Sequence, residues 1–286
     1  MPSLIDIRRR IRSVKNTQQI TKAMKMVSAA KLRRAQDRTI SARPYGSLLR
    51  KVLGNVAAAV AGDETTAQNP LLARREERHI LLVVITGDKG LAGAFNTNLI
   101  KAATRFAGEH HGAKITFELI GRKGRDYFRK REVAIAGEAV GLAAKVKYED
   151  TAAIARRAME MFRNEEIDAV YLVFNEFKSA VTQKLTVSRV LPAELPEQAN
   201  PVDYIFEEPP AEMLNVLLPK YVEMEFYRAL LESAASEHAA RMTAMDSATT
   251  NAAEMIDKLT LYMNRVRQAS ITKEIIEVVS GAAAAE

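Results

Sequence analysis

Between residues 3 and 43 the chain contains neither glycine nor proline. Nothing in that stretch breaks a helix, and Leu4, Ile7, Ile11 and Val14 recur at three- and four-residue spacing. The first segment therefore reads as one very long amphipathic helix. Ser3 and Asp6 form a capping-box-like start, with a hydroxyl for a free amide and an acid in the first turn. Ile20, Met24 and Val27, joined by Ala23 and Ala30, continue the stripe on a shifted face. Pro44 and Gly46 predict a kink, after which helix resumes to about residue 59. At a rise of 1.5 Å per residue, about 55 residues reach about 80 Å, far beyond an ordinary domain helix.

A second long helix is expected over about residues 211–281. Met245, Ala252, Leu259 and Val266 fall at one heptad position, and Ala248, Met255, Tyr262, Ala269 and Ile276 at the other. Repetition every seven residues is a coiled-coil seam, and its small members allow close approach. Lys273 is a polar exception, Pro219 marks a kink or a helix start, and Gly281 suits a C-cap. This seam needs an apolar partner, and the stripe over residues 4–27 is the one available.

Between the two, the period changes. Residues 80–86 are a continuous, largely β-branched run, as in a buried parallel strand. Further strands are expected at 114–120, 133–135, 168–174 and 185–190, with helices at 96–109, 125–130 and 151–164. Alternating strand and helix argue an α/β domain with a mostly parallel sheet. Polar or proline-containing linkers at 62–69 and 192–210 bound it. The domain boundaries so read are 1–60, 61–206 and 207–286.

Charge divides the chain as sharply as periodicity does. Residues 1–58 carry 14 basic side chains against Asp6 and Asp37, whereas residues 207–286 carry 7 basic and 13 acidic ones. A basic arm meets nucleic acid, a membrane surface or an acidic protein partner. Stacking aromatics are absent before Tyr45, and no helix-turn-helix or RNP pattern occurs, which favours a solvated or protein-facing role. With no cysteine, disulfides, thiolate metal sites and cysteine nucleophiles are excluded. The longest apolar run, residues 80–85, is far short of the ~20 residues of a spanning helix, and no secretory signal is read at the N-terminus.

One segment invites a chemical reading. Thr86-Gly-Asp-Lys-Gly-Leu-Ala-Gly93 follows a strand and opens a helix, where a phosphate loop would sit. Its glycines are spaced Gly87, Gly90, Gly93 rather than as a dinucleotide fingerprint, and Lys89 precedes the second glycine instead of following it. A tight strand-to-helix turn and a nucleotide site are both open, the turn being the plainer. His79, His110, His111 and His238 have no metal-ligand spacing, and no nucleophile elbow is present. No catalytic, metal or cofactor constellation emerges.

At the termini the residues become specific. Ile11-Arg-Ser-Val-Lys-Asn-Thr-Gln-Gln-Ile-Thr-Lys-Ala-Met-Lys-Met-Val-Ser-Ala-Ala-Lys31 resembles the N-terminal helix of F-type ATP synthase gamma subunits. Residues 240–252, 264–274 and 279–283 resemble the C-terminal helix. Gly87-Asp-Lys-Gly-Leu-Ala-Gly-Ala-Phe-Asn96 resembles the family's Ser-Asp-Arg-Gly-Leu-Cys-Gly-Gly-Phe-Asn. The resemblance implies a long antiparallel two-helix coiled coil with an inserted Rossmann-like α/β domain. It implies a rotor shaft in bacterial ATP synthase, turned by the c-subunit ring inside three alpha and three beta subunits. A foot would grip epsilon, and one copy would sit peripherally at the cytoplasmic face of the inner membrane. By motif, Lys22, Met24 and Lys25 would meet an acidic lever of beta, with Arg241, Gln268, Thr272 and Glu274 as the facing catch. Tyr204 would approach the c ring. Glutamate is common in the family where Lys25 stands, so a relocated contact is expected there, and Ala92 replaces the loop cysteine. The alternative is a nucleic-acid-binding coiled coil with a basic arm.

Overall fold

The computed structural model describes residues 3–59, 69–195 and 208–283. In chain order the elements are α1 (Leu4–Ala59), a 3-10 turn (Pro70–Leu72), β1 (His79–Ile85), α2 (Phe95–Glu109), β2 (Lys114–Ile120) and α3 (Arg122–Arg129). β3 (Ile135–Ala139), a second 3-10 turn (Leu142–Ala144), α4 (Tyr148–Arg163), β4 (Ala169–Phe177), β5 (Gln183–Leu191) and α5 (Pro210–Ala283) follow. The chain divides into two compact units, one of Met1–Ser28 with Met242–Glu286, the other Ala29–Arg241. The long helices α1 and α5 contribute to both.

α1 begins as its sequence predicts. The Asp6 amide donates to Ser3 Oγ at 3.2 Å, while the Ser3 amide and hydroxyl donate to Asp6 Oδ2 at 3.3 and 2.8 Å. Two otherwise free amides are thereby satisfied. Pro44 and Gly46, where a kink is expected, lie inside α1, which is one helical segment from Leu4 to Ala59. A proline removes one helical hydrogen bond, and here the residues beyond it are held by burial, with Leu49, Leu53 and Val56 in the core of the larger unit. Pro219 likewise lies inside α5, flanked by buried Leu218 and Val222, and the helix passes Gly281 to Ala283.

In the smaller unit the ends of α1 and α5 pair antiparallel, shown by Thr21 Oγ1 to Thr249 Oγ1 at 2.8 Å and Lys25 Nζ to Asp246 Oδ1 at 2.6 Å. The seam on α1 holds strict three-four spacing through Leu4, Ile7, Ile11, Val14, Gln18, Thr21, Lys25 and Ser28, all buried or half-buried. The expected shifted stripe is thus corrected, since Ile20 and Val27 are 60% and 56% exposed. On α5 the first heptad position is as read, through Met245, Ala252, Leu259 and Val266. The second lies one residue later than expected, at Thr249, Ile256, Met263 and Ser270, leaving Met255 and Tyr262 exposed. A shifted stripe would need a stutter in the supercoil. A constant register avoids it, and the hydroxyl pair and ion pair satisfy the polar groups it brings inward.

The larger unit is a three-layer α/β structure. Its five strands lie in the order β3-β2-β1-β4-β5. β1 is parallel to β2 and β4, β2 is parallel to β3, and β5 returns antiparallel to β4 as an edge hairpin. Buried on both faces, β1 alternates its apolar side chains. Ile80, Leu82 and Val84 enter a cluster with α2 and Phe128 of α3. Leu81, Val83 and Ile85 enter another with α4, Leu53 and Val56 of α1, and α5 from Leu214 to Ala234. This double burial is why β1 reads as an unbroken apolar run.

Candidate functional site

The glycine segment connects β1 to α2 at the carboxyl ends of the strands. Since β2 lies to one side of β1 and β4 to the other, the chain reverses direction here, and α/β sheets hold ligands outside such a switch point. Thr86 ties the segment to the neighbouring strand, its amide and hydroxyl donating to the Ile120 carbonyl at 2.8 and 3.1 Å, while its Oγ1 accepts from the Gly124 amide at 2.9 Å. Gly121 runs beneath it at φ +97°, where a Cβ would lie 2.0 Å from the Thr86 carbonyl oxygen. Only glycine fits there. Asn96 braces the turn from α2, accepting from the Gly87 amide at 2.8 Å and donating to the Lys89 carbonyl at 3.3 Å.

The crevice above the strands is filled by α5. Ser233 Oγ donates to the Ile85 carbonyl at 3.3 Å and Ser236 Oγ to the Asn175 carbonyl at 3.0 Å, covering the ends of β1 and β4. Glu237 lies so close to Gly87 that a Cβ on that glycine would come within 2.7 Å of its carboxyl carbon. Arg241, 8% exposed, pairs with Glu237 at 2.5 Å and donates to the carbonyls of Lys89 and Gly90 at 3.3 Å. On the other side Asp88 accepts from the amides of Arg122 and Gly141 at 3.0 Å, occupying the start of α3. A phosphate at this turn would meet the carboxylates of Asp88 and Glu237 where a nucleotide fold offers free amides. The arrangement is that of a clamped turn. Burial raises the Glu237 carboxyl above its ordinary pKa against the opposing pull of Arg241. His238 is lowered to about 4 by burial, then by Arg241 and Lys31, and is neutral at pH 7.

The residues carried over by motif fall into distinct settings. Lys22 is exposed and Met24 half-buried on α1, while Lys25 is spent on Asp246. Gln268, Thr272 and Glu274 are exposed near the end of α5, where Thr272 Oγ1 donates to the Gln268 carbonyl at 2.9 Å and Glu274 accepts from Ser270 at 3.3 Å. Arg241 belongs to the larger unit and holds the glycine turn instead of facing solvent. Tyr204 lies outside the described residues. Sequence reasoning missed Ser233, Ser236 and Glu237, because a polar residue on a long helix gives no sign of what its tertiary neighbour is. It read Asp88 only as part of the glycine segment, because its partners, the Arg122 and Gly141 amides, are distant in sequence.

The smaller unit has a surface of its own. Ile5, Ile20, Met26 and Val27 on α1, and Met255, Leu261, Ile271, Ile275, Val278 and Val279 on α5, are large apolar side chains in solvent. Apolar exposure on this scale marks an interaction surface. Arg8, Arg9, Arg10, Arg12 and Lys15 are exposed among them. No helix among the described residues is long and apolar enough to cross a membrane.

The sequence matches the ATP synthase family over residues 3–285. It is 91% identical, over the full length of both chains, to the ATP synthase gamma chain of Solibacter usitatus (strain Ellin6076), and 53% identical to that of Pelotomaculum thermopropionicum, again over all of both. A chain of the Tetrahymena thermophila mitochondrial ATP synthase, from a cryo-EM structure of its central stalk and c-ring, superposes with a TM-score of 0.62 at 26% identity, covering 80% of this chain and 99% of that one. A chain of the Euglena gracilis mitochondrial enzyme shares the fold with a TM-score of 0.67 at 20% identity, covering 98% and 94%. None of these relatives supports the nucleic-acid reading.

Proposed function

Since the chain belongs to the ATP synthase gamma-chain family, we propose that it is the central rotor shaft of a bacterial F1Fo ATP synthase. It couples rotation of the membrane c ring, driven by proton flow, to ATP synthesis at alpha–beta interfaces, and in reverse it couples ATP hydrolysis to proton pumping. In this reading the chain supplies no catalytic group. One copy sits within three alpha and three beta subunits, and its foot meets epsilon and the c ring at the cytoplasmic face of the membrane. Residues 1–60 and 207–286 are the shaft and 61–206 the foot, with Tyr204 on the c-ring side.

The carrying observation is the two-sided patterning of the two-helix unit, whose seam on α1 holds Leu4, Ile7, Ile11 and Val14 together with Gln18, Thr21, Lys25 and Ser28, while Ile20, Val27, Met255 and Leu261 face solvent. A shaft that turns within a sleeve needs an outer face that excludes water without locking to one partner residue. Non-directional apolar contact does this. Individually weak polar contacts, about 0–1 kcal/mol each when exposed, then distinguish one rotor angle from another. Lys22 on α1 and Gln268, Thr272 and Glu274 on α5 supply them as the catch toward beta. Met24 adds apolar contact near Lys22, Lys25 acts through its ion pair with Asp246, and Arg241 acts through the glycine turn it holds.

Only a difference in binding between angles affects the work transmitted. The test is the assembled complex carrying Gln268→Leu together with Thr272→Val, assayed for ATPase rate and ATP-driven pumping. Slower turnover or weaker coupling with intact assembly is expected. Rates equal to wild type would reduce these residues to shaft surface.

A further inference from the structure

We infer that the larger unit carries a binding pocket for small amphipathic organic anions bearing a hydrogen-bond donor, between residues 39–50 of α1, the end of β4 and residues 221–232 of α5. The cavity there is about 510 Å³, room for an aromatic or acyl body of modest size. Its apolar wall comes from Leu49, Phe177, Tyr221, Met224 and Leu231. The charges around it are nearly all matched. Arg50 pairs with Glu225 at 2.9 Å, Arg228 pairs with the same carboxylate at 2.6 Å, and Lys178 pairs with Glu176 at 2.5 Å.

Two groups are left over. Glu232 is only 4% exposed, and its Oε2 has no hydrogen-bond partner, its other oxygen lying 3.6 Å from Arg228. Arg43 also lines the cavity and makes no hydrogen bond or ion pair among the described residues. A buried acceptor left unmade is the kind of atom a ligand satisfies. Arg228, Arg43 and Lys178 bear on Glu232 electrostatically, opposed by Glu176. With Arg50 the lining sets four cations against the carboxylates of Glu176, Glu225 and Glu232, an excess of positive charge that disfavours a cationic head. A neutral N–H or O–H suits Oε2, and an anion suits Arg43. The two together describe an apolar body with a donor at one point and a negative group at another.

The probe is 1-anilinonaphthalene-8-sulfonate, which has an N–H, two aromatic units and a sulfonate. Its fluorescence is titrated with the full chain. Gly46 supplies the blocking variant: a Cβ there meets nothing nearer than Met224 Cε at 4.0 Å, so Gly46→Leu projects into free space while improving helix propensity. Saturable binding is expected in wild type, lost in Gly46→Leu and weakened about tenfold in Arg43→Ala. Dye binding to the apolar face of the two-helix unit is untouched by these changes, so equal titrations in all three chains overturn the pocket. Competition then tests the donor. 12-Hydroxydodecanoate should displace the dye at about tenfold lower concentration than dodecanoate, and this preference should vanish in Glu232→Leu. Equal competition by the two acids in wild type overturns the assignment of Glu232 Oε2.

Discussion

The two-helix unit packs a mixed seam, with hydroxyls and a lysine stem among its leucine, isoleucine, valine and methionine, and still shows isoleucine, valine and methionine to water. The α/β unit buries its large apolar side chains far more completely. From Ile80 to Ile85 its β1 is apolar and buried on both faces, and Phe162, Phe174 and Phe226 are almost wholly buried. One chain therefore contains a region that satisfies its apolar surface by itself and a region that leaves much of it for something else. The hydrophobic effect scales with area removed from water, so the first carries its own stability and the second borrows it from whatever surrounds it.

That contrast can be broken most sharply in the α/β unit. Phe226→Ala removes a buried ring and should cost about 3–5 kcal/mol in denaturant unfolding of the full chain, as cavity-forming changes do. Gly121→Ala should be of similar size, at least about 3 kcal/mol, because positive φ and the Thr86 carbonyl both oppose a Cβ. Met255→Ala in the two-helix unit should fall within about 0.5 kcal/mol in the free chain. A loss at Met255 as large as that at Phe226 would erase the distinction between the regions.

A pH experiment sharpens it next. The folded pKa of His238, about 4, lies below its ordinary value of 6.5. Below pH 6.5 the unfolded chain takes up a proton that the folded chain refuses, so this group's contribution is complete above pH 6.5 and is lost as pH falls toward 4. The expected loss is about 3 kcal/mol. Glu232 and Glu237, raised by burial, act in the opposite sense over part of that range. The stability difference between wild type and His238→Gln, measured from pH 7 to 4, isolates the histidine. A flat difference would show that burial does not bear on its charge.

The smaller effects lie in the seam. Thr21→Val with Thr249→Val exchanges a buried hydroxyl pair for apolar contact, and thermal melting should rise by the equivalent of about 1 kcal/mol or less. Lys25→Gln removes a half-exposed ion pair with Asp246 and should change stability by no more than about 1 kcal/mol, with the difference shrinking in high salt. A large loss from either would mean that the polar pair, and not the apolar seam residues around it, carries the helix association.

Much of this was legible before any coordinates. The absence of breakers over residues 3–43 and the heptad of residues 245–266 foretold long paired helices, and the β-branched run at β1 foretold a buried parallel strand. The terminal motifs pointed to the family. The seam was legible only in part. A period of seven fixes spacing, but Ala248 and Thr249, or Met255 and Ile256, are adjacent choices that hydrophobicity alone ranks wrongly. The proposed catch residues come from the motif resemblance alone. The clamp on the glycine turn was not found, since its members lie about 150 positions apart, as the Arg241 bonds to Lys89 and Gly90 show.

The sequence alone determined the order of helices and strands and most of their extents, because periodicity and the placement of glycine and proline act over a few residues. β3, expected at 133–135, lies instead at Ile135–Ala139, where it pairs with β2. It also determined that the two ends would be oppositely charged helices. Tertiary structure decided that Pro44 and Pro219 would not interrupt those helices, because burial of their neighbours outweighs one lost hydrogen bond. It decided too that the switch-point crevice would be closed by Ser233, Ser236, Glu237 and Arg241 instead of left open for a ligand. Which side chain fills a crevice depends on where a distant helix packs, and that position is set by the whole core at once, not by any local pattern.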